Sequence, residues 1–164
     1  MSYWLRHNVI SRWLLTVCRV ILGYYWLIDG YDKVFKGFDA KGFIMGAIAK
    51  PVLSPEGKVQ YGAYGNFLKH FVLPNVNTFN FLVSWGELLV GLGLVVGAFT
   101  TAAVFFGLLM NFSYLLAGTV SINPIYIIVE FIILFAGYNA GRIGLDHWII
   151  PWIRKHSFLP NETR

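Results

Sequence analysis

Four stretches of the chain are apolar over lengths that suit a membrane-spanning helix, which takes about 20 residues. They are Arg12 to Lys33, Thr78 to Val96, Thr100 to Gly118 and Pro124 to Arg142. Within the first, Arg19, Gly23, Trp26, Gly30 and Lys33 recur at steps of four, three, four and three and so share one stripe of a helix. Within the second, Glu87 and Gly91 are four apart and Gly93 and Gly97 form a small-xxx-small pair in a run of Leu and Val. Helices in lipid gain little from burying apolar surface against each other. They associate where small residues let backbones approach and where polar groups find partners. The first two stretches are expected to pack on each other for that reason. Only Gly97 to Phe99 joins the second to the third, which predicts a tight antiparallel hairpin. Asn123-Pro124 opens the fourth as an N-cap followed by Pro at the first helical position.

Between the first two stretches lies a connection, Val34 to Asn77, too long for a plain turn. Two short helices are expected in it. Asp39 can cap the run Ala40 to Lys50 that Pro51 ends, and Ser54-Pro55-Glu56 is a start signal for a second run ending before Pro74. In that second run Gln60, Tyr64, Phe67, Leu68 and Phe71 share a face, as in a helix lying in the membrane interface or covering the mouth of a bundle. After the last stretch, Leu145 to Ile153 carries Trp148 and Trp152 and leads into Arg154 and Lys155, a pattern for anchoring at headgroup level.

Composition agrees with this pattern. Of 164 residues 57% are hydrophobic and only 13% charged, and mean hydropathy is +0.60, where a soluble domain has about 25% charged residues. The fold class expected is all-α, an integral membrane four-helix bundle in one domain over residues 1–164, with short interfacial helices in a long first loop over 34–77. The net charge of +5 sits on basic residues that flank apolar stretches and line no single face, which points to anionic lipid and away from nucleic acid. No small-residue cleavage site follows the first apolar run, so it reads as a span and not as a removed signal peptide. The Arg residues and Lys155 gather near the termini and most Lys near the long loop; following the N-terminal charges, the termini are placed on the cytoplasmic side and the loop outside.

An unpaired charge at mid-bilayer costs at least about 2.5 to 3.5 kcal/mol, so the charged residues inside the stretches carry most information. These are Arg19, Asp29, Glu87 and Glu130, with Asn111 and Tyr114 as polar neighbours. From the rise per residue, Arg19 and Glu87 fall at levels that an Arg side chain can bridge, and an Arg19–Glu87 pair is expected. Such a pair can fix helix register and do nothing else. It can also line a site for a lipophilic ligand with hydrogen-bonding groups, such as a quinone, whose ring suits Tyr24, Tyr25, Trp26 and Trp85. In the second reading Arg19 and Asn111 donate to a ring oxygen, Trp26 and Tyr114 complete the binding site, and Glu87 or Glu130 serves as the catalytic proton relay.

His7, His70, His147 and His156 lie outside the stretches, so a haem clamped within the bundle is not expected, and no cluster has metal-ligand spacing. The single cysteine, Cys18, permits neither an intrachain disulfide nor a dithiol and is expected as a small buried hydrophobe. Asp146-His147 beside Arg142 reads as an interfacial charge cluster rather than a catalytic pair.

Arg19, Leu22, Gly23, Trp26, Gly30 and Lys33, then Glu87, Gly91 and Gly97, then the closing Gly141-Arg142-Ile143-Gly144-Leu145-Asp146 together resemble the DoxX/DoxD family of small bacterial membrane proteins. The long first loop is similar to the DoxD-like branch, the membrane subunit of a thiosulfate:quinone oxidoreductase. The resemblance implies a bacterial plasma-membrane protein, a quinone-linked redox role and a partner subunit. Without a dithiol, metal site or haem, the chain would serve a quinone only by holding it beside an external electron donor. The alternatives are a scaffold that recruits a redox enzyme without catalysis, and a small transporter in which two copies would have to surround a path as a homo-oligomer.

Overall fold

The computed structural model describes residues 2–156, and all regular elements among them are helical. α1 (Ser2–His7) leads into the long α2 (Val9–Phe35), and α3 (Lys41–Ala49) follows. α4 (Gly62–Phe67) runs through one wide π turn, Leu68–Val72, and one tight turn, Leu73–Asn75, into α5 (Val76–Val96). α6 (Thr100–Leu116), α7 (Asn123–Ala136), the single turn α8 (Tyr138–Gly141) and α9 (Asp146–His156) complete the order.

α2 and α5 form the closest pair of helices, crossing antiparallel on their glycines. A Cβ on Gly23 would lie 2.7 Å from Leu94 Cβ and 2.9 Å from Val95 N. One on Gly30 would collide with the backbone of Leu88, and one on Gly91 with that of Leu27. Contact of this kind is backbone on backbone, the small-residue packing the sequence pattern predicts. Around it, Leu22 and Trp26 of α2, Val90 and Leu94 of α5, Val104 and Leu108 of α6 and Ile127 and Ile133 of α7 form the main core. A second cluster, Ala40, Ile44, Leu68 and Val72, seats α3 on the α4–α5 helix. Asn80 fastens α3 at its start: its side-chain oxygen accepts from Ala40 N at 2.8 Å and its amide reaches Asp39. The Lys41 N–H and the Asn80 amide hold the exposed Asp39 carboxyl below the usual carboxylate range.

The outward surface is apolar. Ile21, Leu89, Leu92, Phe105, Phe106, Ile128 and Phe135 are each exposed, far more than a soluble fold leaves in contiguous patches. Gly62–Val96, a continuous helix of 35 residues, is long and apolar enough to cross a membrane. α2 has the length but carries Arg12, Arg19, Asp29, Asp32 and Lys33; α6 and α7 are apolar but, at 17 and 14 residues, shorter than about 20.

Several expectations need correction. Pro74 does not end a helix: the π turn before it widens the backbone, so the missing N–H and the ring are absorbed and the helix continues. Ser54-Pro55-Glu56 starts no helix but forms a turn closed by Ser54 N to Lys58 O at 2.7 Å, with Gly57 at φ 76° and a bridge between Leu53 and Val59. The fourth stretch is not continuous to Arg142, because Gly137 breaks it at φ 57°, ψ −132°, a conformation that only glycine adopts readily. Cys18 is exposed, on the outward side of α2.

Gly30→Ala should therefore separate α2 from α5 and cost about 1 to 3 kcal/mol as overpacking, outweighing the gain of up to about 1 kcal/mol in helix propensity. Gly46→Ala on α3, where a Cβ meets nothing within 4 Å, should be neutral or stabilising. Thermal unfolding of the two variants in detergent checks the contrast.

Candidate functional site

α2 presents a polar donor every seventh residue, Arg12, Arg19, Trp26 and Lys33, and each enters the bundle against a different partner. Arg12 Nε donates to Asn139 Oδ1 at 3.0 Å. Arg19 donates to the carbonyls of Leu94 and Ile143 at 2.6 and 2.8 Å. Trp26 Nε1 donates to Glu130 Oε1 at 3.2 Å, and Lys33 Nζ to Glu87 Oε2. Two helical turns separate successive donors, so the partners form levels along the bundle.

At the Lys33 level, Glu87 is 2% exposed. Its Oε2 holds Lys33 and its Oε1 accepts from the Tyr114 hydroxyl at 2.6 Å. Next comes Glu130, fully buried, with Oε1 on Trp26 and Oε2 accepting from Asn111 Nδ2 at 2.8 Å. Gly107 makes room for this carboxylate: a Cβ there would sit 2.5 Å from Oε1. Asn111 is 1% exposed, and its Oδ1 has no partner. Asn111 and Tyr114 are three apart on α6, so the two carboxylate centres stack on successive turns.

Arg19 lies elsewhere. The expected Arg19–Glu87 pair does not form, because the glycine crossing sets Glu87 beside Gly30, and the nearest cation on α2 is then Lys33, one turn on. Arg19 is 1% exposed and faces the α5–α6 turn, against Gly97, with Nε unpartnered. Asp146 supplies the negative charge of that corner. Its two carboxylate oxygens accept from Phe99 N and Thr100 N at 2.7 and 2.9 Å and so cap α6. Leu145 N and Asp146 N bond to Val96 O and Gly97 O, and Gly141 and Gly144 lie where a Cβ would overlap Thr100 and Gly97. Asp146 is thus a buried cap and not part of an exposed charge cluster. The Gly141-to-Asp146 segment is a clasp on the hairpin.

Of the residues singled out in the sequence, Glu87 and Tyr114 meet at one centre and Glu130, Trp26 and Asn111 at the next. Asp29, Tyr24 and Tyr25 are exposed and line no part of the cavity described below, whereas Trp85, also exposed, is one of its walls. Lys33 and Asn139 were not singled out as partners. Lys33 closes the very stripe of small and polar residues on α2, whereas Asn139 sits beyond the Gly137 break and gives no periodic signal. Among the described residues no group of three His, Cys, Asp or Glu side chains could hold a metal ion.

A cavity of about 980 Å³ runs beside the upper centre, along α5 and α6 and under α3 and α4. Its walls are apolar, including Phe43, Leu68, Phe79, Leu89, Phe106 and Met110, and it opens sideways between exposed apolar residues. Tyr114, Ser113 and Tyr64, whose hydroxyl donates to Ser113 O at 3.0 Å, bring the polar atoms to one end, with Phe43 edge-on to the Tyr114 ring at 6.2 Å. Glu87, Glu130, Asn111, Trp26 and Arg19 do not line it. Tyr114 is the residue that joins cavity and carboxylate.

The family model described as DoxX matches residues 14–119, which takes in α2 to α6 and ends before α7. No curated protein and no solved structure matches the chain.

Glu130→Gln should hold the bundle within about 1 kcal/mol, since Asn111 can turn its amide to accept from the new NH₂ while Trp26 keeps an acceptor. Glu130→Leu, which leaves two buried donors unpaired, should cost about 2 to 4 kcal/mol. Unfolding of both variants by denaturant in detergent measures the difference.

Proposed function

The chain belongs to the DoxX family, and from that premise we propose that it is a multi-pass protein of the bacterial plasma membrane, with α2, α5, α6 and α7 as the four spans and both termini in the cytoplasm. In this reading the cavity along α5 and α6 binds a quinone or a similar lipophilic, hydrogen-bonding molecule, and the chain serves as the membrane subunit of a quinone-linked oxidoreductase of the thiosulfate:quinone type. The observation that carries the proposal is Tyr114, which lines an apolar cavity open to the lipid side and donates to the buried, Lys33-paired Glu87 behind it.

The residues fit such a ligand. The walls suit an apolar body, and at the polar end the Tyr114 hydroxyl can turn from Glu87, which Lys33 still pairs, to donate to a ring carbonyl. A bound quinone would supply the two-electron, two-proton couple. In quinone reduction Tyr114 would give its hydroxyl proton to a ring oxygen and regain one by way of Glu87, which Lys33 would hold in place on the other oxygen. Glu130, tied to Asn111 and Trp26 one turn away, is the second carboxylate of the relay. Arg19 has no part in it, since both terminal nitrogens serve backbone carbonyls. With one cysteine and no metal-ligating cluster among the described residues, the chain binds and moves protons while a partner subunit exchanges electrons.

A second reading is favoured by a different observation: all four carboxylate oxygens of Glu87 and Glu130 have partners within the bundle. A network closed in this way fixes helix register and leaves a scaffold for a redox enzyme.

Extraction and mass spectrometry of the detergent-purified protein after incubation with ubiquinone or menaquinone separates the two. The first reading expects a stoichiometric quinone, bound about tenfold more weakly by Tyr114→Phe and unchanged in Tyr24→Phe. A wild-type protein that takes up no quinone supports the scaffold.

A further inference from the structure

The end of the bundle that carries α1 and α9 has a second cavity, about 490 Å³, between α9 and the start of α6. Its apolar side is Phe105, Phe106 and Leu134, and its polar side is Thr100, Tyr138 and Arg154. Two cations approach the Tyr138 ring: Arg154 Cζ, in the cavity lining, lies 5.5 Å and Arg142 Cζ, outside that lining, 5.9 Å from the ring centre. Both side chains are exposed, and among the described residues neither forms a salt bridge. The pair leaves uncompensated positive charge around the ring, which attracts an anion. Thr100 also lines the cavity, but its Oγ1 is buried against Gly141 and is not reached from it. Asp146 also lines the cavity, but both of its oxygens are taken by the N–H groups of Phe99 and Thr100.

We propose that this cavity is a binding site for one anionic phospholipid, with its phosphate between Arg142 and Arg154 at the Tyr138 ring and an acyl chain along Phe105, Phe106 and Leu134. Guanidinium groups suit phosphate because they donate in a planar fork and stack on aromatic faces. The surroundings match a headgroup level: Trp4, Trp148 and Trp152 are exposed, and Arg6, Arg12 and Lys155 lie at the same end, a composition that attracts anionic lipid. The site is separate from Tyr114 and Glu87, and it requires only that the helices lie in lipid. The lipid would brace α9 against the hairpin that the Asp146 clasp closes.

Native mass spectrometry of the full chain in detergent, titrated with phosphatidylglycerol or phosphatidylcholine of the same acyl chains, tests the site. The wild type is expected to prefer phosphatidylglycerol, and the Arg142→Ala/Arg154→Ala double variant to lose about thirtyfold of its affinity for it. Lys155→Ala, which removes a nearby charge outside the cavity, is expected to lose no more than about threefold. Tyr114→Phe should leave lipid binding unchanged, which keeps this outcome distinct from that of the quinone experiment. The proposal is overturned if the double variant keeps its preference or if Lys155→Ala loses as much. It also fails if inorganic phosphate displaces the lipid at matched concentration, since the arginines would then read a free anion.

Discussion

Everything in the bundle depends on how closely α2 and α5 approach. At Gly30 and Gly91 the two backbones touch with no side chain between them, and that contact fixes the register of every polar group along α2. In the proposed membrane setting apolar burial would add little net attraction, leaving the crossing to dispersion over the glycine surfaces and to donors that meet partners inside. Lys33 faces Glu87 because Gly30 faces Leu88; Trp26 faces Glu130 because Gly107 leaves space for the carboxylate. Charges that would be costly alone are placed where the register supplies a partner for each.

The same register divides the interior into parts with different work. One end is a structural corner, where Arg19 ties the last carbonyls of α5 to the segment after α8 and Asp146 caps α6. The middle holds Glu130 in a dry, close-packed setting. At the Lys33 level the polar network reaches a surface, through the partly exposed Lys33 on one side and the Tyr114 hydroxyl on the other, and there the loop helices α3 and α4 cover a cavity instead of leaving Glu87 exposed. The long first loop thus has a physical use, since its apolar residues form the roof.

Much of this was legible in the chain before any coordinates. The stripe from Arg19 to Lys33, the small residues of α5 and the hairpin at Gly97 follow from spacing, and Glu87, Asn111, Tyr114 and Glu130 stand out as polar positions within apolar runs. Partner choice did not follow, because depth counted from helix ends carries an error of about a helical turn, and one turn separates a contact with Lys33 from any other. The Pro74 and Gly137 irregularities were hidden for opposite reasons: a π turn can carry a proline through a helix, and a glycine can break one in a run that stays apolar. Asp146 was hidden because its role is to cap a helix 46 residues away in sequence, which no local pattern records. Asn111, in turn, keeps an unpaired oxygen that only coordinates can reveal.

The most direct measurement is photolabelling of the protein in native membranes with an azido-quinone, followed by peptide mapping. The account predicts adducts confined to the cavity walls on α5 and α6, between Phe79 and Tyr114, and on Phe43 or Phe67 of the roof, with protection by unlabelled quinone. Labels spread evenly over the outward faces of α2 and α7, unchanged by competitor, would contradict it and leave Tyr114 and Glu87 as parts of a helix-packing network alone.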